Sequence, residues 1–257
     1  MTIKAALHPA RLRRYATAAL AALLLLMAAD TPRASTTSAL AALPSTMLWA
    51  WERPEDLRWL PPGVGVAYVA VTVELVGAEG RLRRRAYPLR VPPGSVVVPM
   101  VHVDAAWRTP PTLNTIQRDL IVEQVLQQAQ RSSARVVQLD FEVRASQRAF
   151  LREVLAESRR RLPADVALSA TALASWCAGD YWIAGLAADE IVPMAFRMAS
   201  DDSRIRTLLA DKGAFTRPRC GAALGMATDE APITARSVRR YFFSPRAWDQ
   251  ATWRRIQ

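Results

Sequence analysis

Histidine and cysteine are scarce in this chain, and lysine is almost missing. Of 257 residues, two are histidine (His8 and His102) and two are cysteine (Cys177 and Cys220). Beyond the N-terminal apolar run His102 is alone, which excludes a His-rich metal cluster. A Ser-His-Asp triad would have to use that one imidazole, and no Gly-x-Ser-x-Gly elbow supplies its nucleophile. Neither common Gly-rich phosphate loop occurs. The residues therefore point to no cofactor and no metal. Lys4 and Lys212 are the only lysines, so the basic side is carried by Arg. With abundant Ala, that bias reads as a GC-rich genome rather than a nucleic-acid surface.

The net charge is +11. Lys4, Arg11, Arg13, Arg14, Arg33 and Asp30 belong to the first 34 residues, and without them the balance is +7. Arg11, Arg13 and Arg14 precede an Ala/Leu run, Tyr15–Ala29, that ends at Asp30. A basic flank and an apolar run of that length read as a secretory signal over residues 1–29, with an uncleaved N-terminal anchor as the alternative. The run is short for a membrane span. Residues 30–46, rich in Thr, Ser, Ala and Pro, read as a tether, and residues 47–257 as one domain. The expected location is periplasmic or secreted, which makes nucleic acid an unexpected partner. In oxidising surroundings Cys177 and Cys220 could be bonded. The fold argued next would set them near opposite poles of a barrel, so the bond stays open.

The most informative stretch is Arg135–Glu142. Val137, Leu139 and Phe141 share one parity; Gln138, Asp140 and Glu142 share the other. On a strand, successive side chains face opposite ways. A helix of about four turns is expected next, over Ser146–Leu162, and then the apolar strand Val166–Leu173. Strand, helix, strand is the parallel crossover unit. Its apolar face meets helices, and its polar face looks into a barrel or crevice where ligands bind at strand C-termini.

Taken in order, strands are expected near residues 48, 68, 100, 139, 170, 194, 223 and 241. A helical turn is expected at Glu55–Leu60. Gly77 to Gly80 turns the chain into a hairpin arm over Arg81–Arg90, whose arginines read as a solvated face. Thr112 or Asn114 should cap a helix running to Arg131, with Ile116, Leu120, Val125 and Ala129 buried. Ser200 or Asp201 should cap a helix that Gly213 ends, and Ser244-Pro245 should start a terminal helix. Eight strands of this kind predict a (β/α)8 TIM-like barrel with short or missing helices and a β-hairpin excursion after the second strand. An open doubly wound sheet is the alternative.

In that barrel Glu74, Asp104, Asp140, Glu142, Arg197, Asp229 and Glu230 converge at one mouth. Asp140 and Glu142 lie roughly 6–7 Å apart along one strand face. That spacing lets one carboxyl be kept protonated by its charged neighbour while the other stays ionised. Trp51, Trp107 and Trp176, also at or after strand ends, offer flat faces on which a sugar ring stacks. Each has a structural reading beside the functional one: acids near strand ends pair with Arg, and tryptophans lid a core.

Four segments together resemble the exported bacterial family catalogued as domain of unknown function 3142. They are Leu48–Leu57 (LWAWERPEDL), Leu139–Glu142 (LDFE), Thr171–Cys177 (TALASWC) and Val192–Met198 (VPMAFRM). More remotely, the strand ending in Asp140-x-Glu142 is similar to chitinase-type glycosidases. Those carry Asp-x-x-Asp-x-Asp-x-Glu, whose final Glu is the general acid and whose last Asp orients the substrate's acetamido group. Arg135 and Gln138 stand at the two earlier acidic positions. The sixth-strand Met-x-Tyr-Asp is matched by Met194, with Phe196 and Arg197 departing. The resemblance implies an exported glycoside-hydrolase-like protein acting on a cell-envelope or extracellular polysaccharide. Its expected site holds Glu142 as general acid, Asp140 as electrostatic partner, and Asp104 or Glu74 as second carboxylate. Trp51, Glu74, Trp107, Trp176 and Arg197 are the substrate-binding candidates. The alternative is a degenerate barrel that binds glycan without cleaving it, in envelope or exopolysaccharide assembly.

Overall fold

The computed structural model describes residues 35–179 and 182–257; the signal or anchor expected over residues 1–29 lies outside them. Residues 35–46, which composition assigns to the tether, fold. Ser35 caps the short helix α1 (Thr36–Ala41), its side chain accepting from the Ser38 amide. Ala39 and Leu43 are buried.

The chain then forms a closed, eight-stranded parallel barrel. Its first strand is β1 (Thr46–Ala50); β2 (Glu55–Asp56) lies outside the barrel, and β3 (Val64–Val76) is the second barrel strand. After β3 come the hairpin arm β4 (Glu79–Arg84) and β5 (Leu89–Arg90). The remaining barrel strands are β6 (Val97–Ala105), β7 (Val136–Asp140), β8 (Ala167–Leu173), β9 (Glu190–Met194), β10 (Ala223–Ala227) and β11 (Arg239–Phe243). Their spatial order is β1-β11-β10-β9-β8-β7-β6-β3, and β1 pairs with β3 to close the ring. All eight lie where period-two alternation places them. β4 runs antiparallel on β3 as the expected hairpin. Glu55–Asp56 is not a helical turn: it pairs in parallel with Leu89–Arg90, and Arg58 binds Asp56 through its guanidinium.

Helices cover the outside where the crossovers are long. They are α2 (Thr115–Arg131), α3 (Arg148–Arg161), α4 (Ala174–Ala178), α5 (Asp202–Lys212) and α6 (Gln250–Arg254). Asn114 starts α2 with a capping box: its side chain accepts from the Gln117 amide, and the Gln117 side chain accepts from the Asn114 amide. The buried stripe of α2 is Ile121, Val122, Val125 and Ala129, and Ile116, expected in it, is 72% exposed. Gly213 ends α5 in the left-handed region (φ 72°). The terminal helix begins later than Ser244-Pro245 suggests. The carbonyls of both residues accept from the Arg53 guanidinium, and Asp249 instead caps α6 by accepting from the Thr252 amide.

Two apolar clusters follow from the alternation. One fills the space between strands and helices, with Val137, Leu139 and Phe141 of the central stretch. The other lies inside the barrel and includes Met47, Trp49, Val69, Met100, Val192, Met194 and Tyr241, closed on one side by Ala39 and Leu43. The pattern slips once, in β3. A bulge between Val69 and Val71 shifts the register, so Val69 faces inward and so do Thr72 and Glu74 beyond it.

Cys177 and Cys220 are bonded, with Cα atoms 5.9 Å apart. The pole argument fails because neither cysteine stays at its strand's end. Cys177 sits in α4, Cys220 in the turn before β10, and both are buried in the outer apolar cluster.

Candidate active site

The strand register assembles the site. His102 of β6 lies directly opposite Asp140 of β7, and Gln138 opposite Ser169 of β8, which brings Asp140 level with Thr171. All of these side chains share the inward parity. Asp140 is 4% exposed and uses both carboxylate oxygens. Oδ2 meets His102 Nδ1 at 2.7 Å, and Oδ1 accepts from Thr171 Oγ1 at 2.6 Å. Buried carboxylates persist when paired and hydrogen-bonded in this way.

Glu142 follows two residues later, just past the end of β7. It makes no hydrogen bond or ion pair among the described residues, and it lines the same cavity. Desolvation holds its carboxyl above the usual carboxylate range; the Asp140 charge pushes the same way and His102 opposes. Burial disfavours a charged His102. The hydrogen bond to Asp140, then the charges of Asp140, Asp104 and Glu142, outweigh burial and raise it above the ordinary imidazole value of 6.5. The pair Asp140–Glu142 is thus split: one carboxylate is fixed by hydrogen bonds to His102 and Thr171, the other has its pKa pushed up.

The cavity holds about 230 Å³. One wall is polar, with His102, Asp140, Glu142 and Thr171. The other is aromatic, with Trp49, Trp51, Phe196 and Phe243. Phe196 and Phe243 stack with planes 4° apart and centroids at 5.5 Å, and Trp51 meets both Phe243 and His102 edge-on. Arg197 closes the rim. Its backbone is left-handed (φ 53°), a conformation that ordinary side chains rarely adopt. Glu230 holds it there, accepting from the Arg197 amide and from Nη1, while Asp229 accepts from Nη2 at 2.7 Å.

Beneath the mouth the inward polar residues are spent on structure. Trp49 Nε1 donates to Gln138 Oε1 (2.8 Å), Gln138 Nε2 to Ser169 Oγ (3.0 Å), and Ser169 Oγ to Glu190 Oε2 (2.8 Å). Tyr241 also donates to Glu190, and the Arg239 guanidinium pairs with it. Arg239 then reaches the carbonyls of Leu40 and Pro44, tying the α1 end of the barrel to its middle.

Of the residues singled out in the sequence, Asp140, Glu142, Trp51 and Arg197 come together on this cavity. Glu74 and Asp104 lie opposite each other in register but outside the lining; Arg83 of the hairpin holds Glu74 at 3.0 Å. Trp107 is 69% exposed and lies under the Arg108 guanidinium, away from the cavity. Trp176 is 3% exposed and packs on Trp182 in the outer apolar cluster, so it lids a core. His102, Thr171, Phe196 and Phe243 were not singled out. The signal for His102 was its parity, shared with Met100, on a strand whose C-terminal end lies three residues further on.

No protein-family model matches the sequence, and no match is found among curated proteins. Solved structures show a distant likeness. The Bacillus cereus spore cortex-lytic enzyme SleL aligns at 15% identity and TM-score 0.47, over 72% of this chain and 50% of that one. The chitinase domain of the Clostridium difficile spore coat protein CotE aligns at 15% identity and TM-score 0.38, over 65% and 52%. An endo-beta-N-acetylglucosaminidase from Cordyceps militaris aligns at 9% identity and TM-score 0.45, over 86% and 93%. The chain spans about half the length of the first two. No helix among the described residues is long and apolar enough to cross a membrane.

Proposed function

We propose that this chain is an exported glycoside hydrolase that cleaves a cell-envelope or extracellular polysaccharide, with Glu142 as its general acid. The observation that carries the reading is the divided carboxylate pair. Asp140 is fixed by His102 and Thr171, while two residues on Glu142 makes no hydrogen bond or ion pair among the described residues and is exposed at the cavity, its carboxyl pushed above the usual range. In this reading a sugar ring lies against the aromatic wall of Trp51, Phe243 and Phe196. Glu142 gives its proton to the glycosidic oxygen as the bond to the anomeric carbon lengthens. Asp140 faces the positive charge that develops on the ring.

The second role in glycoside hydrolysis belongs to a base or nucleophile. Among the described residues, Asp140 and Glu142 are the carboxylates lining the cavity, and both oxygens of Asp140 are engaged. Asp104 and Glu74, placed in that role by strand position, stand outside it. The nucleophile is therefore assigned to the substrate: the carbonyl oxygen of a 2-acetamido group attacks the anomeric carbon, as in glycosidases with substrate assistance. The test is reducing-end release from matched polymers of 2-acetamido and 2-hydroxy sugars. Release from the acetamido polymers alone is expected. Equal release from both would remove substrate assistance.

One observation favours the binding-module reading. Gln138, at a position acidic in chitinase-type enzymes, is consumed between Trp49 and Ser169. In that reading the same cavity retains a sugar ring without turning it over, and glycan binding without release distinguishes it.

A further inference from the structure

A second cleft, of about 460 Å³, opens beside the mouth. The mouth cavity is below the roughly 300–1,000 Å³ usual for a small-molecule site; the cleft is within it. The two share a wall. Phe243 lines the mouth and Ser244 the cleft; Arg197 lines the mouth and its partner Asp229 the cleft.

Its charges are unevenly spent. Asp229 is held by Arg197, and Asp249 accepts from the Thr252 amide at 2.6 Å to cap α6. The two arginines of the cleft, Arg246 and Arg255, form no salt bridge among the described residues, although the Arg255 charge acts on Asp249 from a distance. The Arg246 guanidinium makes no hydrogen bond there, and Arg255 makes one, to Thr252 Oγ1 at 3.1 Å. Elsewhere the chain commits many arginines to acids or carbonyls, as with Arg53, Arg83, Arg159, Arg197, Arg206 and Arg239. Two guanidinium forks without a salt bridge, in a concave cleft, suit a carboxylate, which guanidinium binds bidentately.

We infer that this cleft is a second glycan subsite, selective for a sugar that carries a carboxylate. The inference rests on the glycan reading of the mouth. The carboxylate could be that of a hexuronic acid or of a lactyl ether on an amino sugar; both present the same planar anion.

The experiment is calorimetric titration of the full chain carrying Glu142→Gln, which prevents turnover. The probes are a neutral 2-acetamido oligosaccharide, a hexuronate oligosaccharide and a lactyl-ether amino-sugar disaccharide. An acidic probe is expected to bind about tenfold more tightly than the neutral one, with the preference shrinking as salt rises. The tighter acidic probe names the source of the carboxylate. The double variant Arg246→Gln/Arg255→Gln should erase the preference while leaving neutral affinity and melting temperature unchanged. Arg246→Lys/Arg255→Lys, which keeps charge but not the fork, should retain part of it. Equal affinity for all probes, no binding of any, or a preference that survives the double Gln variant would overturn the inference. Cleavage of the neutral glycan by the unmodified chain without acidic preference would remove the subsite and leave the glycosidase reading. Acidic preference dependent on both arginines, with no cleavage, would do the reverse.

Discussion

His102 and Asp140 meet at 2.7 Å because strand register puts them side by side, and that contact fixes the polar wall of the cavity. A raised imidazole pKa means the folded state holds its proton to higher pH than the unfolded chain does. The pairing therefore adds stability below about pH 6.5 and loses it as pH rises through the folded value. A chain starting at Ser35 contains one histidine, so its imidazole resonances need no assignment. NMR titration should place His102 above the ordinary 6.5, and Asp140→Asn should move it down, since burial then acts with less opposition. A titration unchanged by Asp140→Asn would break the link between the two. The cavity-lining residues legible in the sequence were those with a chemical signature at or after a strand end: Trp51, Asp140, Glu142 and, through its motif, Arg197. His102 was visible by parity but carried no partner until the register was known. Glu74 and Asp104 misled because strand position fixes height on the barrel, not who neutralises whom; Arg83 reaches Glu74 from a hairpin nine residues on.

At the scale of elements, period-two alternation found all eight barrel strands because the interior mixes polar and small residues with apolar ones. It failed where geometry departs from a straight strand or helix. The bulge in β3 changes the inward set within one strand, and no residue type announces it. The helix face of α2 was rotated in the reading because Ile116 lies in the first turn, where the sequence pattern continues but the packing surface does not. The N-cap at Asn114 was legible, since its capping box is local chemistry. Gly225 shows the opposite limit: a Cβ there would lie 2.7 Å from a ring atom of Trp49, a clash set by a residue 176 positions away. The disulfide joins elements across 43 residues of sequence. Loop entropy gives it an upper value of about 4 kcal/mol. Reduction, or Cys177→Ser with Cys220→Ser, should therefore lower the melting temperature by roughly 5–15 °C for a domain of this size. A shift under about 2 °C would mean that the outer cluster holds these segments unaided.

At the scale of the whole molecule, a buried polar chain runs from Trp49 near the mouth through Gln138, Ser169 and Glu190 to Arg239 and the α1 end. Glu190 and Arg239 are 3% and 4% exposed, and neither was anticipated as important. Removing one member leaves a buried charge alone, so Glu190→Ala should cost roughly 3–5 kcal/mol. Denaturant unfolding measures it, and a loss under about 1 kcal/mol would show the network to be dispensable. The fold class was legible because eight strands with an inward polar face admit few architectures. The function was less so, because it depends on which inward acids stay unpaired once the barrel closes. The most direct test of the account is reducing-end release from a 2-acetamido polymer by the unmodified chain beside Glu142→Gln. The account predicts release by the former and a loss of about 10²–10⁴-fold in the latter, the usual worth of a positioned general acid. Equal release by both would contradict it.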